Sequence, residues 1–240
     1  LDQQQSILEG RVVVAKFLFP LYPRGGGEAG VTPIPKSQLL SVLTQVRRRL
    51  MHRMLEAKRA NIRERMQYYK QDAEQYRACI ARFMHTQPQL VNSTFQEVIN
   101  EQGVSPQVFA ASVKQHMIDP EVQQRLGGLQ TLTADMCEGL PIPPELTKER
   151  FKEAIRSSIE ELRKYTVNDV MSSLLAQTAS ADEVALLHGF DEITICAAML
   201  KFENDPDEEL RQLRDQWNEA SQFLTYMGQN PTEAPPAPHS

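Results

Sequence analysis

Histidine is the residue that most often binds metal ions, and its positions in this chain indicate no metal site. No two histidines lie three or four residues apart, the spacing that places two ligands on one face of a helix, and none accompanies a Cys-x-x-Cys motif. The five are His52, His85, His116, His188 and His239. The sequence therefore predicts no zinc site.

The three cysteines, Cys79, Cys137 and Cys196, are odd in number and widely spaced. Disulfide frameworks use paired cysteines, most often in small secreted chains. We therefore expect free thiols and an intracellular protein in a reducing compartment. Cys79 and Cys196 fall in helical patterns and are predicted to be small core residues.

Two stretches resemble ligand-binding loops but lack the residues that would complete them. The glycine-rich segment 23–30 (PRGGGEAG) lacks the Gly-Lys-Ser/Thr ending of a phosphate loop, so we expect a flexible connector. Residues 205–209 (DPDEE) offer calcium ligands, but Leu210 and Gln216 stand where such a loop needs glycine and glutamate. A capped helix start explains these acids better. With no nucleophile elbow, Walker loop or dinucleotide motif, the sequence predicts a non-enzymatic protein without a cofactor.

The composition favours an all-α fold. The chain has 240 residues, of which 41% are hydrophobic and only 11 are glycine, with a net charge of −5. No apolar run reaches about 18 residues, so we expect no membrane span. We divide the chain into an extended arm (1–35), a long helix (36–86), a first helical unit (87–130), a loop (131–146), a second helical unit (147–229) and a Pro-rich tail (230–240).

The long helix is predicted from a stretch with neither glycine nor proline, which Pro88 then ends. Fifty helical residues would span about 75 Å, too long to be buried in a domain of this size. We therefore expect this helix to project or to pack on another chain.

The same helix carries a strongly basic face. Between positions 47 and 70, nine basic residues oppose two acidic ones. This balance is compatible with a solvated helix surface, but it also predicts contact with an acidic protein surface or with RNA. Few aromatic residues lie among the basic ones, which weakens the case for sequence-specific RNA recognition. The predicted partner-binding residues are Arg47, Arg48, Arg49, Arg53, Lys58, Arg59, Arg63 and Arg65.

Two segments, 94–121 and 180–207, align without a gap at an offset of 86 residues. Each predicts a helix, a glycine turn (Gly103, Gly189), a second helix capped by Ser105 or Asp191, and an Asp-Pro cap that starts a third helix. Glu97, Val98, Gly103, Ala111, Asp119 and Pro120 recur as Glu183, Val184, Gly189, Ala197, Asp205 and Pro206. Six identities in 28 positions are compatible with a duplication and with chance.

The second unit is predicted to begin with a helix from Thr147 to about Leu175, followed by a turn at 178–182. Its last helix, over 206–227, carries an apolar stripe that we interpret as core or as a seam for a partner. The stripe consists of Leu210, Leu213, Trp217, Leu224 and Met227, of which the first four are the predicted seam residues. Seven acids within 203–219 offer a complement to the basic helix, within the chain or between copies.

The segment Glu97–Val113 (EVINEQGVSPQVFAASV) resembles the helix–turn–helix near the end of the domain that binds Arf-like small GTPases. The likeness covers less than a tenth of the chain, and the acidic segment that usually precedes this motif is missing. It implies an adaptor for a small GTPase as one alternative function, and it assigns no site residue.

Together these features predict a non-enzymatic helical scaffold subunit of a large multiprotein assembly, which binds other protein subunits through the long helix and the terminal arms. A mitochondrial complex and a cytoskeletal or ciliary assembly both fit. A first residue other than Met mildly favours a processed organellar protein. The alternatives are an RNA-associated, ribosomal-type subunit that uses helix 47–70, and the small-GTPase adaptor.

Overall fold

The computed structural model of the protein describes residues 31–129 and 136–230, and every regular element in these two ranges is an α-helix. The predicted all-α class is therefore confirmed. The helices are α1 (Lys36–Met66), α2 (Ala73–Glu101), α3 (Pro106–His116), α4 (Pro120–Gly127), α5 (Lys148–Leu162), α6 (Val170–His188), α7 (Glu192–Lys201) and α8 (Glu208–Gln229). The predicted arm up to position 30 and the Pro-rich tail from position 231 lie outside the described residues.

The described residues form two compact units. Unit 1 contains the residues up to Lys58 and those from Phe83 to Met136, whereas unit 2 contains Arg59–Arg82 and the residues from Cys137 onward. The first two helices therefore each contribute to both units.

The prediction of one helix over residues 36–86 is wrong, because the chain leaves the helix after Met66. Residues 67–72 form a turn in which Lys70 has a φ of +61°. Asp72 then starts α2 by accepting hydrogen bonds from the backbone N–H groups two and three residues later. Neither glycine nor proline marks this turn, so helical periodicity alone could not find it.

In unit 1 the second helix runs antiparallel to the first, because the later α1 residue bonds to the earlier α2 residue in the pairs Arg49–Glu101 and Arg53–Glu97. In unit 2 the two helices are joined by Asn61–Cys79 and Glu64–Arg82. The prediction that this helix projects is therefore wrong. Pro88, predicted to end it, lies inside α2.

The core of unit 1 is formed by the apolar faces of α1 to α4. The rings of Phe95 and Phe109 lie at its centre, with centroids 5.7 Å apart. The other buried members are Leu39, Val42, Leu43 and Val46 of α1, Val98 and Ile99 of α2, Val104, Val113 of α3, and Val122 and Leu126 of α4. Leucines and valines of α1 recur at steps of three and four, which places them on one side of the helix.

The turns of unit 1 follow the sequence signals closely. Gly103 has a φ of +64°, which glycine adopts at little cost, and α2 ends just before it. Ser105 and Asp119 cap α3 and α4 through their side-chain oxygens, and each is followed by a proline at the first helical position. These local predictions are confirmed.

The core of unit 2 forms where α5 to α8 pack together. The predicted stripe on α8 lies in this core, since Leu210, Leu213 and Leu224 are buried and Trp217 is partly buried. Buried partners from the other helices include Phe151, Ile155, Ile159, Leu162, Ala176 and Ala198. The structure thus places the stripe in the core of the unit, the first of the two interpretations.

Two predicted boundaries in unit 2 are wrong. The helix that starts after Thr147 ends at Leu162, and Asp169 begins a new helix with a reciprocal capping box to Ser172. Residues 178–182, predicted to be a turn, lie inside that new helix α6.

The two similar segments differ at their third helix. In the first, Asp119 is the cap of α4. In the second, Asp207 caps α8, while Asp205 accepts a hydrogen bond from the backbone N–H of Asp207. The predicted cap at Asp205 is therefore wrong by two residues, although Gly189 (φ +78°) ends α6 as expected.

Within 31–129 and 136–230, no helix is long and apolar enough to cross a membrane.

Candidate functional site

The basic face of α1 is the predicted binding surface, and in unit 1 its arginines are largely engaged with α2. Arg49 binds both carboxylate oxygens of Glu101, with its Nη1 2.6 Å from Oε1. Arg53 does the same to Glu97 and also donates to Thr94 Oγ1 at 3.1 Å. These hydrogen bonds hold the pKa of Glu97 and of Glu101 below the usual range. Both arginines therefore serve, at least in part, to join α1 to α2.

Arg65 was predicted on the same binding face, and this prediction is wrong because its side chain is only 1% exposed. Its Nε and Nη2 donate to the two carboxylate oxygens of Asp182 at 2.8 and 2.9 Å. Nη2 also lies 2.9 Å from Glu192 Oε2, and Nη1 donates to Asn61 Oδ1 at 2.9 Å. A guanidinium can be buried only when its charge and its donors are matched in this way.

Two tyrosines complete this buried polar network of unit 2. Tyr76 Oη donates to Asp182 Oδ2 at 2.8 Å, and burial together with the Asp182 charge raises the pKa of Tyr76. Tyr69 Oη donates to Glu183 Oε2 at 2.9 Å, and burial and this hydrogen bond raise its pKa too. Lys70 reaches the same Glu183 at 2.5 Å. The network joins α1, α2 and α6 within the unit.

The other predicted basic residues divide into two groups. The Lys58 ammonium lies 5.4 Å from the centroid of the Phe83 ring, and Arg47 is half-buried. Arg48, Arg59 and Arg63 are exposed, and none of them forms an ion pair with any residue in the described ranges. The exposed basic surface is therefore much smaller than the sequence suggested.

Among the described residues of unit 2, a serine and a histidine lie as close together as a nucleophile and its base would. Ser157 Oγ lies 2.9 Å from His188 Nε2. Ser157 stands in the middle of α5, where the backbone N–H groups are used by the helix and cannot stabilise an oxyanion. The backbone oxygen of His188 accepts a hydrogen bond from Arg150, whose guanidinium lies 4.5 Å from the centroid of the Phe190 ring. We interpret the pair as a structural contact that joins α5 to the end of α6. Because the two residues are 31 positions apart, no sequence pattern indicated that they meet.

Several large apolar side chains remain exposed, and the sequence did not indicate them. Leu186 and Leu187, neighbours in the last turn of α6, are 55% and 60% exposed. The others are Ile118, Val170, Phe223 and Tyr226. All but Ile118 belong to unit 2. The sequence alone does not reveal them, since exposure depends on which neighbours cover each helix.

No group of three or more histidine, cysteine or acidic side chains in the described part of the chain could hold a metal ion. Its three cysteines, all described, are free thiols, and burial raises the pKa of Cys79. Comparisons with protein-family models, with curated proteins and with solved structures found no match.

Proposed function

We propose that this protein is a non-enzymatic helical subunit that binds other proteins in a larger assembly. The observation that carries the proposal is the pair of adjacent, more than half-exposed leucines, Leu186 and Leu187. A single exposed leucine is ordinary, but burying leucine contributes about 1.5–3 kcal/mol. Burying these two neighbouring leucines against another protein would therefore stabilise an interface.

The charged side chains of unit 2 support a structural role over a catalytic one. Lys152 is buried and bonds to Asp207 and Glu209, and these hydrogen bonds raise its pKa. Lys148 bonds to Asp205 at 2.8 Å. Both lysines thereby join α5 to the start of α8, so these carboxylates are engaged in holding helices together.

The sequence suggested a binding surface on the long basic helix. The proposal places it at the end of α6 instead. A mitochondrial complex and a cytoskeletal or ciliary assembly both stay predictions. The RNA-associated alternative also stays a prediction, now with Arg48, Arg59 and Arg63 as its exposed basic residues.

The test uses a tagged full-length chain in native extract. Wild type should migrate well above its own mass, with other proteins present in fixed stoichiometry. The Leu186→Ser/Leu187→Ser double variant should lose the other proteins and migrate at a lower mass, as an assembly of this chain alone. Val170→Ser, at the other end of the same helix and also more than half-exposed, is the matched control and should stay in the assembly.

Circular dichroism of each purified variant confirms that the fold is retained. Wild-type protein that migrates without any other protein would overturn the proposal, as would a double variant that keeps all wild-type partners. An assembly that collapses on ribonuclease treatment would favour the RNA alternative instead.

A further inference from the structure

The side of α8 opposite the core of unit 2 carries a surface that the packing leaves open. Asp215, Glu219 and Tyr226 lie on one stripe of this helix, at steps of four and seven residues, and Phe223 lies beside them. All four are exposed. The surface is thus acidic in the middle of α8 and aromatic towards its end.

The acids of this stripe are not neutralised by close partners in unit 2. Glu219 forms no ion pair with a residue the structure describes. Asp215 acts on Arg211 only through its charge, since the Arg211 guanidinium hydrogen-bonds to Glu208 instead. The rest of unit 2 does little to balance the negative charge of these two acids, because its described residues include 21 acidic and 15 basic side chains.

The last turns of α1, in the same unit, carry the complementary pair. Arg59 and Arg63 are exposed, four residues apart, and neither has an ion-pair partner among residues 31–129 and 136–230. Four residues on a helix correspond to a rise of about 6 Å. Asp215 and Glu219 are also four residues apart, so the two pairs match in spacing as well as in charge.

We infer that the protein forms a symmetric dimer in which Arg59 and Arg63 of one copy contact Asp215 and Glu219 of the other. A twofold axis repeats this contact, so that one dimer contains two such sets of pairs. Phe223 and Tyr226, next to the acids on α8, add apolar and aromatic surface to each contact. A second copy is the occupant that the observations favour, because one unit presents both halves of the complementary pattern.

The first test measures the mass of the purified full-length chain by sedimentation equilibrium at two salt concentrations. Between about 0.1 M and about 1 M sodium chloride the screening length falls from about 10 Å to about 3 Å. We expect a dimer at low salt whose dissociation constant rises about tenfold or more at high salt. A monomer under all conditions, or a dimer indifferent to salt, would overturn the inference.

A charge exchange makes the test specific. One variant carries Arg59→Glu and Arg63→Glu, and the other carries Asp215→Arg and Glu219→Arg. Each variant alone places like charges at both contacts and should be monomeric. An equal mixture should form a heterodimer. One of its two contacts then carries the wild-type charges, and the other pairs the introduced glutamates with the introduced arginines.

The matched control is Arg163→Glu/Lys201→Glu, which changes two exposed basic residues of the same unit and should dimerise like wild type. Circular dichroism confirms that each variant folds. If both exchange variants stay dimeric, or if their mixture stays monomeric, the assigned contact is wrong. A different protein or the rest of this chain would then cover α8.

Discussion

Arg53 and Arg65, both on α1, form ion pairs that differ in burial. The comparison shows how burial changes what an ion pair contributes to stability. In unit 1, Arg53 and Glu97 form a bidentate pair whose side chains are 34% and 45% exposed. In unit 2, Arg65 and Asp182 form a similar pair that is 1% and 2% exposed. Water can replace the first partner when it is lost, but it cannot reach the second.

The buried pair is tolerated because its surroundings satisfy it completely. Asp182 accepts from both Arg65 and Tyr76, and Asn61 accepts one of the remaining guanidinium donors. Across the described ranges no buried side-chain nitrogen or oxygen lacks a hydrogen-bond partner. Breaking one member should therefore cost far more than breaking the exposed pair, because it leaves others unsatisfied.

The largest expected effect follows from Asp182→Asn. This change keeps the size of the side chain but leaves the Arg65 charge buried with only the partly exposed Glu192 beside it. We expect unit 2 to lose about 3 kcal/mol of its free energy of unfolding, the lower end for a broken buried pair. Trp217, the single tryptophan, lies in unit 2 and reports its urea unfolding by fluorescence.

The matched control for this change is Glu153→Gln, which alters an exposed acid in the same unit, outside the proposed dimer contact. We expect it to lie within about 0.5 kcal/mol of wild type. If Asp182→Asn were equally mild, burial would not explain the difference between the two arginines.

The second prediction concerns whether unit 2 needs the buried polar network for its stability. The quadruple variant Arg65→Met, Asp182→Leu, Tyr76→Phe and Asn61→Leu removes the buried ion pair, the tyrosine hydroxyl and the amide that accepts from Arg65 together. Well-packed apolar replacements of a buried ion pair are often neutral or stabilising, so we expect a free energy of unfolding within about 1 kcal/mol of wild type. A quadruple variant as unstable as Asp182→Asn would show that the network contributes more than apolar packing of the same volume.

Several turns and caps could be predicted from the sequence because their signals are local. Gly103, Gly189, Ser105 and Asp191 each act through a backbone conformation or a side chain within three residues. The reversal at 67–72 could not be predicted in this way, because it uses Lys70 in a conformation that usually marks glycine.

The buried network could be predicted only in part. Arg65 follows Ile62 by three residues and so lies on the apolar side of α1, a sign that it faces the interior. Its partner Asp182 is 117 residues away in the chain, and nothing in the sequence indicates that separation. The basic face was therefore overestimated because charge was counted without knowing which carboxylates fold against it.

The third effect uses pH to distinguish buried groups from exposed ones. The pKa values of Tyr69 and Tyr76 are raised by burial and by their carboxylate partners, so the fold favours the neutral phenol. A raised folded-state pKa gives stability that is complete below the unfolded value, about 10, and is lost as the pH rises above it.

We therefore expect the free energy of unfolding of unit 2 to fall between about pH 9 and about pH 11. Tyr76→Phe should reduce this slope, because it removes a buried phenol whose pKa is raised. Trp217 fluorescence in urea at each pH gives the slope directly. An equal slope in wild type and in Tyr76→Phe would mean that Tyr76 is not its source.

The smallest expected effect comes from the exposed pairs of unit 1. The pKa values of Glu97 and Glu101 are lowered by their hydrogen bonds to Arg53 and Arg49, so their stabilisation is present above about pH 4.3 and is lost as the pH falls through the folded-state values. In the cycle of Arg53→Gln, Glu97→Gln and the double variant, we expect a small coupling at neutral pH. Hydrogen exchange of the α1 and α2 amides in unit 1 measures it, and about 1 M salt should abolish it. A coupling that survives salt and equals the effect of Asp182→Asn would show that bidentate geometry, and not burial, decides the strength of these arginine pairs.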